Sequence, residues 1–257
     1  MLNFAIQTAR EAGRVLVEKF GRAIEVKSKG DIDLVTEADL AAERLIVERV
    51  RSYFPRHALL TEEAGALVAV GGQDAEYKWI VDPLDGTTNY AHGYPAFCVS
   101  IALEHEGRRL VGVVYDPLRD EMFAAERGGG ATLNGRTIRA SSRGELNSAL
   151  VCTGFPYDVR ERSDFARHFR AFIMQAQSVR RDGAAALDLA YVAAGRFDAF
   201  YEEGLRPWDV AAGVLLVEEA GGRVTHYDGT PFDHYRPPIA ATNGLLHEAV
   251  LRVLQQS

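Results

Sequence analysis

The chain has 257 residues, 47% of them hydrophobic and 25% charged, the make-up of a globular protein long enough to bury a substantial core. A formal net charge of −7 argues against a nucleic-acid partner, which requires basic surface. No apolar run is long enough to cross a membrane, and the charged N-terminus does not read as a signal peptide.

In chain order, residues 1–20 predict an amphipathic helix with Phe4, Ala5, Ala12, Val15 and Leu16 on one face, ended by Gly21. A short strand at 23–27 leads into a polar stretch, Ser28-Lys29-Gly30-Asp31. A second helix over 37–54 has Thr36 as N-cap and Asp39 in its first turn. Ala42, Leu45, Ile46, Val50 and Tyr53 lie on its apolar face. Strands at 58–61, 77–81, 96–103, 110–115 and 121–126 follow, and Asn134-Gly135 marks a hairpin turn. This run predicts an antiparallel sheet covered by the two helices.

Beyond residue 147 strands alternate with helices. A strand at 149–153 precedes a helix over 162–177, in which Phe165, Phe169, Phe172 and Ile173 are spaced for burial. Then come a helix at 184–194, a strand at 197–201 and a helix opened by Pro207 and closed at Gly221-Gly222. Strands at 223–227 and 239–242 and a last helix complete the chain. The expected organisation is two halves, 1–146 and 147–257, in one folding unit. Cys98 and Cys152 each lie in an apolar stretch and read as small core residues of a reduced, cytoplasmic protein, not as ligands or a disulfide.

The segment that carries chemistry is Trp79-Ile80-Val81-Asp82-Pro83-Leu84-Asp85-Gly86-Thr87-Thr88-Asn89. An apolar strand delivers Asp82 at its end, and Asp85 follows three residues later. Carboxylates this close repel each other unless cations sit between them, and carboxylate and carbonyl oxygens suit magnesium. Gly86 lets the backbone approach a ligand, and the amides after it can hold an anion. Asp-Pro-x-Asp-Gly is also a good surface turn, but the buried strand before it and Thr-Thr-Asn after it weigh against that reading. His92, His105, His226 and His234 are scattered without ligand spacing.

With this segment, with Trp208-Asp209-Val210-Ala211-Ala212-Gly213 and Glu219-Ala220-Gly221-Gly222, and with Asp33 to Asp39 and Ala185 to Arg196, the chain resembles the inositol monophosphatase family of metal-dependent phosphatases. The resemblance covers nearly the whole chain in order. It implies an α/β (α+β) layered sandwich of alternating helix and sheet layers, shared with fructose-1,6-bisphosphatase. It implies Mg2+-dependent hydrolysis of a phosphomonoester, inositol monophosphate first, with lithium sensitivity, two to three ions per site and a homodimer. No nucleic-acid or membrane partner is expected.

Carried over by position, Glu62, Asp82 and the Leu84 carbonyl would hold a first magnesium ion, and Asp82, Asp85 and Asp209 a second. Glu62 would also help hold a weaker third. Asp39 and Thr87 match the pair that orients and activates the attacking water. Asp85, Gly86, Thr87, Gly183, Ala184, Ala185, Glu202 and Asp209 match the substrate contacts, with Glu202 on the hydroxyls and Glu203 as the competing candidate one residue along. The apolar stretch 96–103 and residues 155–157 are candidate dimer contacts. The alternatives are a fructose-1,6-bisphosphatase or another sugar or nucleotide phosphatase on this scaffold, or a regulatory binding protein of the same fold.

Three positions depart from the family's usual pattern. Ala184 stands where a Ser or Thr is usual, Asp182 adds negative charge beside it, and Thr61 replaces a frequent glycine. None removes a metal ligand; they bear on substrate preference and on the third ion.

Overall fold

The structure, a computed structural model, describes residues 1–22, 26–28, 34–67, 75–155 and 164–256. Helix α1 (Leu2–Lys19) buries Ala5, Ala9, Ala12 and Leu16 along one stripe, and α2 (Glu37–Tyr53) presents Ala38, Ala42, Ile46 and Val50. Small residues at helical spacing let the pair pack closely over a sheet. Strands β1 (Val26–Ser28) and β2 (Leu34–Thr36) form an antiparallel pair leading into α2. Part of the strand expected at 23–27, and Lys29, lie outside the described residues.

The first sheet contains β3 (Ala58–Thr61), β4 (Gly65–Leu67), β5 (Tyr77–Asp85), β6 (Cys98–His105), β7 (Arg108–Asp116), β8 (Glu121–Glu126), β9 (Gly130–Leu133) and β10 (Arg136–Thr137). Among the described residues its order is β10-β9-β8-β7-β6-β5-β3-β4. It is not wholly antiparallel as expected. The unanticipated edge strand β4 turns back along β3, so β5 enters on the other side, parallel to β3.

After α3 (Thr87–Ala91), the second half supplies β11 (Leu150–Thr153), α4 (Asp164–Gln175), β12 (Ser178–Arg180), α5 (Ala185–Ala193), β13 (Ala199–Glu202), α6 (Pro207–Glu219), β14 (Arg223–Thr225), β15 (Ile239–Thr242) and α7 (His247–Gln256). Its strands form a second sheet ordered β12-β11-β13-β15-β14 among the described residues, with β11 parallel to both neighbours.

Alternation along the strands builds the layers. Trp79, Val81, Val99, Ile101 and Val113 face α1 and α2, whereas Ile80, Ala102 and Val114 face α5 and α6. Phe200 and Ala241 of the second sheet face the same two helices from the other side. Val151, Tyr201 and Ala240 pack on Phe172 of α4 and on α7. The result is helices, sheet, helices, sheet, helices, the layered sandwich expected. Squeezed between two sheets, α5 and α6 are apolar nearly all round. They touch where Gly213 meets Leu189, since a Cβ on Gly213 would lie 2.5 Å from the Leu189 Cβ.

Three packing expectations are corrected. Tyr53 is 64% exposed; as the last residue of α2 it covers Phe4 from outside, ring centroids 5.3 Å apart. Ile173 is 52% exposed, because adjacent helical residues diverge by about 100° and Phe172 takes the buried place. Residues 96–103 are nearly fully buried, with 98–103 inside the sheet between β5 and β7, so they are core and offer no dimer surface. Pro156 and Tyr157 lie outside the described residues.

Candidate active site

Alternation sends Ile80 and Asp82 to the same face of β5, toward α5 and α6. In a regular strand Asp85, an odd number of residues later, would point the opposite way. Here Asp82 sits opposite Ser100 and Asp85 opposite Cys98, so three steps on β5 meet two on β6. This bulge contains Pro83, which has no amide to give to the ladder, and it restores parity so that both carboxylates reach one side. Gly86 follows with φ 92°. A Cβ there would lie 2.8 Å from the Ala96 carbonyl oxygen, so glycine is required on two grounds.

The remaining carboxylates arrive at helix starts and strand ends. Asp209 is the third residue of α6 and accepts the Arg206 amide at 2.6 Å. The first turn of α6 is fixed by the Ser100 hydroxyl, which donates to the Trp208 carbonyl at 3.1 Å. Glu62 follows β3, and the next residue, Glu63, gives its amide to Glu43 of α2 at 2.9 Å. Asp85 accepts the Ala186 amide at 2.7 Å, so it caps α5, whose own N-cap, Ala184, has no capping side chain. One signature carboxylate thereby joins the two halves of the chain. Asn89 adds a second tie, donating to the carbonyls of Ala96 and Asp182, both at 2.8 Å.

These groups surround a cavity of about 550 Å³. Glu62, Asp82, Asp85, Thr87, Glu202 and Asp209 line it, as do Leu84, Gly86, Gly183, Ala184 and Ala185. Asp39 is fully buried behind Thr87, whose hydroxyl lies 3.1 Å from its Oδ1 and 3.0 Å from the Leu84 carbonyl oxygen. Asp39 also closes the capping box of α2, accepting the amide and hydroxyl of Thr36. Burial raises its pKa, and the bonds from Thr36 and Thr87 work against that rise.

Along β13, Phe200 and Glu202 face α5 and α6, whereas Tyr201 faces away; Glu203, just past the strand, also borders the cavity. Glu202 is 8% exposed; burial, with repulsion from Asp188, Asp209 and Asp85, pushes its carboxyl above the ordinary range in the metal-free protein, and Arg181 works against that rise. Glu203 instead reaches His168 of α4 at 3.0 Å. Gly154, Arg181, Gly204, Leu205 and Arg206, which the sequence reading gave no place in the site, also line the cavity, as do Glu203, Trp208 of the second signature and Phe155, which was expected at a dimer contact. The available signal is positional: parallel strands β11 and β13 end side by side, so Gly154 must sit beside Glu202, where ligands commonly bind in such sheets.

The electrostatics are severe. Burial pushes the Asp82 carboxyl well above the ordinary range, and repulsion from Glu62, Asp85 and Asp209 adds to it. Burial lifts Asp85 to about 6, and burial with repulsion from Asp85 lifts Asp209 to about 7. Clustered carboxylates and the Leu84 carbonyl are hard oxygen donors, and a divalent cation such as magnesium among them would replace repulsion with attraction. The residues present therefore fit that ion.

The inositol monophosphatase family profile matches residues 1–257. Nus factor SuhB of Pseudomonas aeruginosa is 46% identical over 260 residues, covering 99% of this chain and 96% of that protein. Inositol-1-monophosphatase of Mesorhizobium japonicum is 43% identical over 259 residues, covering 100% and 96%. The solved inositol monophosphatase of Anabaena (Nostoc) superposes with a TM-score of 0.90 at 49% identity, covering 99% of this chain and 95% of that one. No helix among the described residues is long and apolar enough to cross a membrane.

Proposed function

The chain belongs to the inositol monophosphatase family, and from that premise we propose that it hydrolyses the phosphomonoester of a small polyol, inositol monophosphate first, using magnesium and water. The observation that carries this reading is the convergence of Glu62, Asp82, Asp85 and Asp209 on one cavity beside Thr87 and Glu202. Glu62, Asp82, Asp85, Asp209 and the Leu84 carbonyl are the groups that would hold the ions. Magnesium, when bound, offsets charge on the phosphoryl oxygens and makes water a better nucleophile at neutral pH.

The chain's own residues supply orientation and proton handling. The Thr87 hydroxyl has one proton and two acceptors in reach, Asp39 Oδ1 and the Leu84 carbonyl. If that carbonyl held an ion, the proton would go to Asp39, and the Thr87 oxygen would be left to accept from the attacking water. Asp39 acts through Thr87 and is a positioning residue in this scheme. Glu202 accepts from substrate hydroxyls, since a carboxylate cannot favour a phosphate directly. No step needs a covalent phosphoenzyme.

The test is phosphate release from a panel of phosphomonoesters with magnesium, reporting kcat/KM for each. Sugar or nucleotide phosphates outrunning inositol phosphate would shift the substrate class while keeping the chemistry. A second reading, a regulatory role of the kind named in the Pseudomonas relative, Nus factor SuhB, is favoured by that likeness; capture of partners from extract by Asp82→Asn protein would separate binding from catalysis. The homodimer belongs to the proposal as well, on a surface other than β6, and light scattering that finds only the monomer mass would count against it.

A further inference from the structure

Beneath the substrate wall lies a cluster that the phosphatase reading does not use. Cys152 on β11, Asp182 in the connection before α5 and Asp188 in α5 each offer a ligand atom, and these atoms lie within 4.8 Å of one another. Cys152 is fully buried and Asp188 is 1% exposed. Asp188 Oδ1 finds no hydrogen-bond partner among the described residues. A buried carboxylate oxygen left without a partner is costly and calls for an account. Burial pushes the Asp188 carboxyl well above its ordinary range; repulsion from Asp182 and Asp85 adds to the rise, and a bond with the Cys152 thiol and the Arg181 charge offset it only in part.

In the metal-free protein burial, the adjacent carboxylates and a side-chain bond with Asp188 push the Cys152 thiol well above its ordinary range, and only the bond from the Asp182 amide works the other way. A cation between the three groups would satisfy Asp188 and stabilise the thiolate together. The donor set names the class of cation. Magnesium and calcium want oxygen donors alone, whereas one thiolate with carboxylates suits a borderline-soft ion of the zinc type. Ligand atoms about a tetrahedral zinc ion lie roughly 3.5 Å apart, so small side-chain shifts would close the site.

We propose that Cys152, Asp182 and Asp188 form a second metal site, separate from the catalytic carboxylates, that takes a zinc-class divalent ion with one coordination position left to water. The site would tie β11 to the start of α5. It would also pin the substrate wall, because Asp182 directly precedes Gly183. Cys152 then leaves the class of inert core residues, and the unusual Asp182 gains a role.

Cobalt(II), a spectroscopic stand-in for zinc, tests this on the intact protein. Among the Co2+ ions that wild type binds, one should show a thiolate-to-cobalt charge-transfer band, and added Zn2+ should erase it. Cys152→Ser should lose the band while keeping its circular dichroism and metal-free Tm, and Cys98→Ser should keep the band. The partly exposed Asp182→Asn should weaken binding at least about tenfold, the lower end of what removing even a residue behind a ligand costs. Absence of the band in folded wild type, its survival in Cys152→Ser or its loss in Cys98→Ser would overturn the proposal. None of these readouts depends on phosphatase activity.

Discussion

Gly154 lies so close against Glu202 that a Cβ at position 154 would overlap the Glu202 carboxylate. The glycine thus makes the space in which this acid can stand at the end of β13, facing the cavity. Glu202→Gln should lower kcat/KM on inositol phosphate by about one to two orders of magnitude, matching the roughly 1.5–3 kcal/mol of a charge-assisted hydrogen bond. An aryl phosphate without vicinal hydroxyls should be little affected. Gly154→Ala should show the same selective loss and add little to Glu202→Gln in the double variant. Equal losses on both substrates would assign Glu202 to support of the metal site.

Thr87 and Asp39 are separated by 48 positions but share a hydrogen bond. Thr87→Ala and Asp39→Asn should each lower kcat with little change in KM, and together lose less than the sum of the two losses. Additive losses would show that the two do not act on one water. Asp39→Asn should also cost up to about 1 kcal/mol of stability through its capping bond with Thr36, which Thr87→Ala leaves intact. The two readouts thereby separate the structural part of Asp39 from the catalytic one.

The acidic cluster makes stability depend on pH in a defined direction. Asp85 and Asp209 rise from an ordinary 3.8 to about 6 and about 7 on folding. The folded protein therefore binds these protons more tightly than the unfolded chain. Their contribution is fully present below the ordinary value and is lost as pH rises through the folded values. The Tm of metal-free protein should fall over that window, and the fall should be smaller in Asp209→Asn. Magnesium should raise Tm most at the alkaline end, where protons no longer compete with it. A magnesium effect independent of pH would contradict the assignment of these carboxylates as ligands.

Much of this was legible in the sequence because local rules and the fold agree. The Thr36 cap, the Asn134-Gly135 hairpin and the Pro207 helix start each have a short-range cause, and each forms where expected. Less legible was whatever depends on strands distant in the chain. The parity of Asp82 and Asp85 is set by a bulge against β6. Which of Glu202 and Glu203 turns toward α5 and α6 is set by the face of β13 that meets those helices, and the proposed role of Glu202 rests on that orientation. β4 and β12, three residues each, are too short to carry a period. Tyr53 and Ile173 satisfied an apolar pattern that the helix surface did not need.

The measurement that bears most directly on the central claim is steady-state phosphate release from myo-inositol 1-phosphate, with wild type and Asp82→Asn compared in magnesium and in excess chelator. Asp82 is 2% exposed, repelled by Glu62, Asp85 and Asp209 together, and assigned to both principal ions. Wild type should release phosphate only with magnesium, and Asp82→Asn should lose nearly all activity while remaining folded. Undiminished release in chelator, or from Asp82→Asn, would contradict a magnesium-dependent phosphatase built on these carboxylates.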